Sequence, residues 1–313
     1  MFKPIALLSI PFLLTLGACS SSEEKGSESD KLKVYASTFA TASIARDIGG
    51  DDVDVELVVP AGADPHSYEP TSKQMTEIAG GDLFLMTGTT LEPYAEKIKN
   101  SLEGTDVKFI ETSTGIKLLE VAETVHSHEE EDHSEEDEHD HGQFDPHVWL
   151  DPANAQLMAQ EITKAFKKEA PDASDAFEKR LATFDEKAVE LDRSLQEAVD
   201  AGSKKELLVT HAAYGYLAEK YGFEQLPVAG ITPSEEPSQK ELAQLVAEAE
   251  LHGLKYIAFE ETVSPKVARV IQREIGAEAV TIHNLESVAK SDLDASYFEL
   301  MEENAATLKK ALN

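Results

Sequence analysis

The sequence predicts an α/β protein with two Rossmann-like lobes, each built on a parallel sheet, joined by one long rigid helix. Three observations carry this prediction. Short β-branched runs alternate with helical segments from Leu32 to Ser113, and again from Glu206 to Leu312, which is the pattern of parallel strands with crossover helices. Between these stretches lies one amphipathic run of unusual length. The chain of 313 residues, 41% of them hydrophobic, is long enough to fill two cores of ordinary size.

The first lobe is expected over residues 31–169. LKVYAS reads as a strand, and a helix follows from Thr41 to Ile48. DVDVELVVP and LFLMTG are the next strands, with a helix near Gln74 to Ala79 between them. A helix from Glu92 to Leu102 then leads into the strand DVKFIETS. Asp151-Pro152 pairs an N-cap with proline at the first helical position, opening a helix toward Lys168.

The linking segment covers residues 170–202. From Pro171 onward, apolar residues fall at Phe177, Leu181, Phe184, Ala188, Leu191, Leu195 and Ala198, with charged residues filling the gaps. Spacings that alternate between four and three put them on one face of a helix of about thirty residues, roughly 45 Å long at 1.5 Å per residue. Such a run is too short for a sustained coiled coil and packs against its own protein.

The second lobe is expected over residues 203–313. Its strands are ELLVTH, the segment Gln225 to Ile231, KYIAFEE and AVTIH. Its helices run from Ala212 to Tyr221, Gln239 to His252, Pro265 to Ile275 and Tyr297 to Leu312. Two such lobes leave a cleft between them, and in open parallel sheets ligands sit beyond the carboxyl ends of the strands.

Residues 1–19 read as a secretory signal. Lys3 precedes an apolar run from Ile5 to Leu16, which is too short to span a bilayer permanently, and small residues follow it. Cys19 is the single cysteine of the chain, so it has no intramolecular disulfide partner. The run Leu16-Gly17-Ala18-Cys19 resembles the lipobox of bacterial lipoproteins, which implies lipidation at Cys19 and a place on the extracellular face of the cytoplasmic membrane. Residues 20–30, SSSEEKGSESD from Ser20, then form a flexible tether.

The segment 126–141, HSHEEEDHSEEDEHDH, holds five histidines (His126, His128, His133, His139 and His141) and nine carboxylates. It has nothing apolar to bury. Imidazole suits zinc, copper and nickel, and the carboxylates concentrate cations, so the composition points to divalent metal. The formal charge of the chain is -32, and removing the nine units of this loop leaves -23. An acidic body argues against nucleic acid and anionic membrane surfaces as partners.

The five remaining histidines are His66, His147, His211, His252 and His283. Three of them, His66, His147 and His211, stand at strand-to-loop exits and offer neutral imidazoles to one cation. The first two share the tripeptides Asp64-Pro65-His66 and Asp145-Pro146-His147. Proline stiffens each exit, and each aspartate can orient an imidazole from behind. A carboxylate would complete the tetrahedron that zinc prefers. Glu286, past AVTIH, stands at the corresponding exit of the second lobe, with Glu69, Glu260 and Glu261 as rivals. His252, at a helix end, and His283, beside a strand, read as structural.

ADPHSYEP, DPHVWLDP, VTHAAYGYLAEKYG, the helix after TPSEEPS, and HNLES occur in this order, with the acidic histidine loop before the second motif. As an ensemble they resemble the zinc-binding solute-binding lipoproteins of ABC importers, the metal-binding cluster A-I family. The resemblance covers nearly all of the chain after Cys19. It implies two α/β lobes joined by a rigid helix, with the metal in the interlobe cleft. Carried over by motif, it gives His66 and His147 from the first lobe and His211 and Glu286 from the second as ligands. Some zinc-binding relatives have water in place of the Glu286 carboxylate. Manganese-binding relatives carry a carboxylate where this chain has His211, which argues for zinc. The single cysteine excludes the disulfide of some periplasmic relatives.

The resulting expectation is a monomeric protein, not an enzyme, that captures Zn2+ and delivers it to a cognate ABC permease, with the loop gathering zinc for the main site. Binding of manganese or another divalent metal is one alternative, and a surface adhesin is another. A secreted zinc hydrolase is the third, disfavoured by a fourth protein ligand and by the lack of HExxH or GxSxG.

Overall fold

The structure, a computed structural model, describes residues 31–88, 91–121, 144–234, 237–263 and 266–313. Residues 1–19 and 20–30, Cys19, and the loop histidines His126, His128, His133, His139 and His141 lie outside the described residues. In chain order the first half comprises β1 (Leu32–Ala36), α1 (Phe39–Gly49), β2 (Val53–Leu57), α2 (Ser72–Ile78), β3 (Leu83–Met86), α3 (Pro93–Ser101) and β4 (Lys108–Glu111). The two-residue strands β5 (Leu119–Glu120) and β6 (Phe144–Asp145) and the helix α4 (Pro152–Glu169) follow. Next come α5 (Ser174–Asp200), β7 (Glu206–His211), α6 (Gly215–Tyr221), β8 (Glu224–Ala229), α7 (Gln239–Leu251), β9 (Tyr256–Phe259), α8 (Lys266–Ile275), β10 (Glu278–Thr281) and α9 (Tyr297–Ala311).

The fold is two α/β lobes. One sheet has the order β2-β1-β3-β4 and the other β10-β9-β7-β8, with all pairings parallel. Read from its other edge, the second sheet is β8-β7-β9-β10, the same winding as the first. In each sheet the strand order reverses between the first and third strands of the lobe, so the crevice for a ligand opens beyond β1 and β3 in one lobe and β7 and β9 in the other.

The helices start where their caps dictate. Asp151 Oδ1 accepts from the Ala153 amide at 2.9 Å and Pro152 occupies the first turn of α4. Thr71 with Gln74, Ser238 with Glu241 and Ser296 with Glu299 form capping boxes on α2, α7 and α9.

The linking helix is shorter than its sequence pattern suggests. A 3-10 turn, Pro171–Ala173, precedes it, and α5 covers 27 residues, about 40 Å at 1.5 Å per residue. Phe177, Phe184, Ala188, Leu191, Leu195 and Ala198 are buried in the main core, and Leu181 packs at its edge. The helix touches both lobes. Arg180 donates to the Gly49 carbonyl at 2.9 Å and pairs with Asp52, whereas Phe184 packs on Phe298 with ring centroids 4.8 Å apart. Lys220 of α6 bridges Asp151 and Asp192 at 2.5 and 2.6 Å.

The lobes are also laced directly along one loop of the second lobe. The amides of Phe39 and Ala40, at the start of α1, donate to the carbonyls of Glu286 and Leu285 at 3.0 and 2.9 Å. Gly62 N–H donates to the Val288 carbonyl at 2.9 Å, and Trp149 Nε1 to the Asn284 carbonyl at 2.7 Å. First-turn amides have no partner inside their own helix, so α1 docks on the second lobe without losing a bond of its own.

Some boundaries differ from the sequence expectation. The helix expected from Ala212 starts at Gly215, because the chain after β7 spends three residues turning beneath the site. The strand expected over Gln225 to Ile231 is Glu224–Ala229. No described helix is long and apolar enough to cross a membrane.

Candidate metal centre

The three histidines reach the cleft by different routes, and not from equivalent strand exits as the sequence pattern suggests. His211 is the last residue of β7. His66 lies in a turn nine residues beyond β2, and His147 follows the short antiparallel pair β5-β6. Glu286 follows β10, next to Leu285, whose φ of 58° makes it the one described non-glycine residue in the left-handed region. Burial of Leu285 and its carbonyl bond to Ala40 hold that conformation in place.

These four side chains converge. One nitrogen from each histidine and one oxygen of Glu286 all lie within 4.8 Å of one another. Glu286 Oε1 is 2.5 Å from His147 Nε2, 3.3 Å from His211 Nε2 and 3.5 Å from His66 Nε2. Donor atoms on a tetrahedral zinc stand about 3.3 Å apart, given Zn–N bonds of about 2.0–2.1 Å, so only small shifts separate this cluster from that geometry. The side chains of His147 and His211 are wholly buried, and those of His66 and Glu286 are 7% and 3% exposed. Among the described residues, His147 Nε2 and His66 Nε2 have no polar partner other than Glu286 Oε1. Buried imidazole nitrogens crowded with a carboxylate oxygen onto one point, with nothing else to bond, are the mark of a site that a cation fits.

Two of the three imidazoles, those of His147 and His211, are fixed from behind. Asp145 Oδ1 accepts from His147 Nδ1 at 2.7 Å and from the His147 amide at 2.9 Å. Glu260 faces His211 Nδ1 at 2.8 Å and accepts from Thr210 Oγ1 at 2.6 Å. With Nδ1–H donated to a carboxylate, Nε2 is the nitrogen that faces the cluster, and it offers its lone pair to a cation once its own proton leaves. Asp64 departs from the expected role: it accepts from the His66 amide at 2.9 Å and from Ser67 Oγ at 2.9 Å, holding the turn and not the ring.

The electrostatics follow from burial and these carboxylates. Burial disfavours a charged His147, but Asp145 and Glu286 outweigh it and raise the pKa to about 9. Burial opposes charge on His211 too, and Glu260 with Glu286 lifts it to about 10. Burial pushes the Glu286 carboxyl upward, yet His66 and His147 foremost hold it well below the usual carboxylate range. A pocket of about 180 Å3, lined in part by Asp64, Pro65, Ser234, Thr262 and Glu286, opens beside the cluster.

The rival carboxylates are elsewhere or otherwise engaged. Glu69 is exposed and pairs with Lys97 at 2.8 Å, and Glu261 is exposed. Glu260 is buried, but it supports His211. His252 pairs with Glu206 at 2.9 Å and His283 with Glu303 at 3.0 Å, outside the cluster. The supporting role of Glu260 escaped the sequence reading. Its signal was present, because it directly follows β9, the neighbour of β7 in the sheet.

Comparison with known proteins agrees with this arrangement. The family model described as zinc-uptake complex component A, periplasmic (ZnuA), matches residues 34–311. The high-affinity zinc uptake system protein ZnuA of Bacillus subtilis is 36% identical over 320 aligned positions, spanning 100% of this chain and 99% of that protein. The zinc-binding lipoprotein AdcA of Streptococcus pneumoniae is 32% identical, and the chain spans 61% of its length. The Zn(II)-bound ZnuA-like domain of that AdcA superposes with a TM-score of 0.72 at 30% identity, covering 90% of this chain and 99% of the domain. The laminin-binding protein Lmb of Streptococcus agalactiae, described as having adhesin and metal transporting activity, gives 0.79 at 27% identity over 90% of this chain and 100% of that one. With the match running through both lobes and every motif at the cleft, the chain belongs to the ZnuA family of zinc-uptake complex components.

Proposed function

We propose that this protein captures Zn2+ outside the cytoplasmic membrane and hands it to an ABC permease, with His66, His147, His211 and Glu286 as the ligands. The observation that carries the reading is the convergence of three imidazole nitrogens and a carboxylate oxygen within 4.8 Å in a buried cleft, where His66 Nε2 and His147 Nε2 have only Glu286 as a partner among the described residues. Three nitrogens and one oxygen fill a zinc tetrahedron and leave no position for a reacting water, which favours a carrier over a hydrolase. His211 stands where a carboxylate would favour manganese, and imidazole is the softer ligand. The B. subtilis and S. pneumoniae relatives, named for zinc uptake and zinc binding, support the same cargo.

In this reading, zinc enters past Asp64 and Ser234, meets Glu286, and displaces protons from His147 and His211. The lacing of the lobes and the α5 strut limit any hinge motion, so release requires the permease to disturb the ligand geometry. Lipidation of Cys19 keeps the protein at the outer face of the membrane, and the loop 126–141 collects zinc weakly for the main site.

The test is equilibrium zinc binding. Combined His66→Ala and His211→Ala changes are expected to abolish tight binding, and unchanged affinity in that variant sinks the site. Deletion of residues 126–141 should remove weak zinc equivalents and leave one tight site. Loss of the tight site instead would mean that the loop supplies ligands.

A further inference from the structure

We infer that Asn284 is the positioning residue that makes His211 and Glu286 one rigid ligand pair, an inference that rests on the zinc-site reading above. Asn284 is buried, and both ends of its side-chain amide serve the site. Its Nδ2 donates to Glu260 Oε2 at 2.6 Å, and Glu260 in turn faces His211 Nδ1 at 2.8 Å. Its Oδ1 accepts from the Glu286 amide at 3.0 Å. Its carbonyl accepts from Trp149 Nε1 at 2.7 Å, and the Trp149 ring stands edge-on to His147 with centroids 5.6 Å apart. One residue therefore touches the supports of three of the four ligands.

The chemistry needs an amide at this point. A carboxylate has roughly four lone-pair directions. On Glu260, Thr210 Oγ1, His211 Nδ1 and Asn284 Nδ2 occupy three of them, so Glu260 cannot swing without breaking several bonds at once. A fixed Glu260 fixes the tautomer and ring plane of His211. On the other side, the bond from the Glu286 amide to Asn284 Oδ1 closes a turn around the left-handed Leu285 and aims the Glu286 carboxylate at the histidines. Glu260 demands a donor and the Glu286 amide demands an acceptor, and a primary amide supplies them from two separate atoms, where a hydroxyl would offer both at a single oxygen. Aspartate would set an oxygen against Glu260 Oε2. An apolar residue would leave both partners buried and unpaired.

Zinc affinity should be measured by competition with a chromophoric chelator for wild type, Asn284→Ala, His211→Ala and the double variant, with thermal melting of each metal-free protein. Asn284→Ala is expected to weaken zinc binding about 10- to 100-fold, the usual cost of losing a group that orients a ligand. In the His211→Ala background the same change should cost clearly less, because part of its effect passes through the missing imidazole. The visible spectrum of bound Co2+ should also change in Asn284→Ala, which a purely structural role would not produce. If Asn284→Ala does not fold, Asn284→Asp keeps the volume and the acceptor for Glu286, removes the donor to Glu260, and should show the same loss. Wild-type zinc affinity in a folded Asn284 variant overturns the proposal. So does an unchanged Co2+ spectrum, or an equal fold-loss in both backgrounds. Wild-type affinity in His211→Ala alone would instead overturn the zinc-site reading.

Discussion

The carbonyl of Glu286 accepts the amide of Phe39 at 3.0 Å, so a candidate ligand from the second lobe is bonded to the first turn of a helix in the first. With His66 and His147 already in that lobe, Glu286 joins the two lobes at the site, bonded to α1 through its carbonyl and coupled to His211 through Asn284 and Glu260. His211, at the end of β7, is the one anchored in the second sheet.

Zinc binding near neutral pH should release close to two protons. The pKa values of about 9 for His147 and about 10 for His211 mean that both are protonated in the metal-free protein, and the metal takes only neutral imidazole. Apparent affinity should therefore rise by about a hundredfold per pH unit while both remain charged. Calorimetry in buffers of different ionisation enthalpy measures the release directly, and a value near zero would contradict the protonation of these two rings.

The metal-free protein should show the opposite dependence in its stability. Raised values for His147 and His211 stabilise the fold fully below their ordinary 6.5, and that contribution is lost as pH climbs through about 9 and 10. The lowered Glu286 value contributes above its ordinary 4.5 and is lost as pH falls through the depressed one. Melting temperature without metal should peak between those two ordinary values and decline on the alkaline side. Saturating zinc should erase the alkaline decline.

Gly215→Ala should damage the site although residue 215 touches no candidate ligand. A Cβ there would collide with Asp145 Oδ2, and Asp145 holds both the ring and the amide of His147. Zinc affinity is expected to fall about 10- to 100-fold, comparable to Asp145→Asn. Titration of both variants checks this, and wild-type affinity in Gly215→Ala would show that Asp145 can move without consequence.

Leu195→Ala should do the reverse, costing stability while sparing the cargo. Leu195 is fully buried on α5, whose helix packs against α4 and α9, and truncating such a residue costs about 2–5 kcal/mol. Denaturant unfolding should show the loss, and zinc titration should still give one tight equivalent.

Much of this architecture was legible because hydrophobic period and caps are local. The heptad from Phe177 to Ala198, the Asp151-Pro152 start and the alternation of strands with helices each follow from neighbouring residues. The histidines at 66, 147 and 211 stood out because Pro65, Pro146 and the end of ELLVTH mark chain exits. Glu286 led Glu69, Glu260 and Glu261 by position and motif alone, and what separates them physically is burial and partners: Glu69 and Glu261 are exposed, and Glu260 backs His211. Hidden altogether was the division of labour between Glu260 and Glu286. It depends on β7 and β9 being neighbours and on Leu285 turning left, and neither is written in a local pattern.

The two protons on His147 and His211 carry the same charge as one divalent ion. Loading and unloading the centre would then be a charge-conserving exchange, Zn2+ for 2 H+, and the buried interior would hold the same charge at either end of the cycle. A permease that disturbs the ligand geometry would draw zinc out as protons return, and an acidic exterior would tilt the same exchange toward unloading.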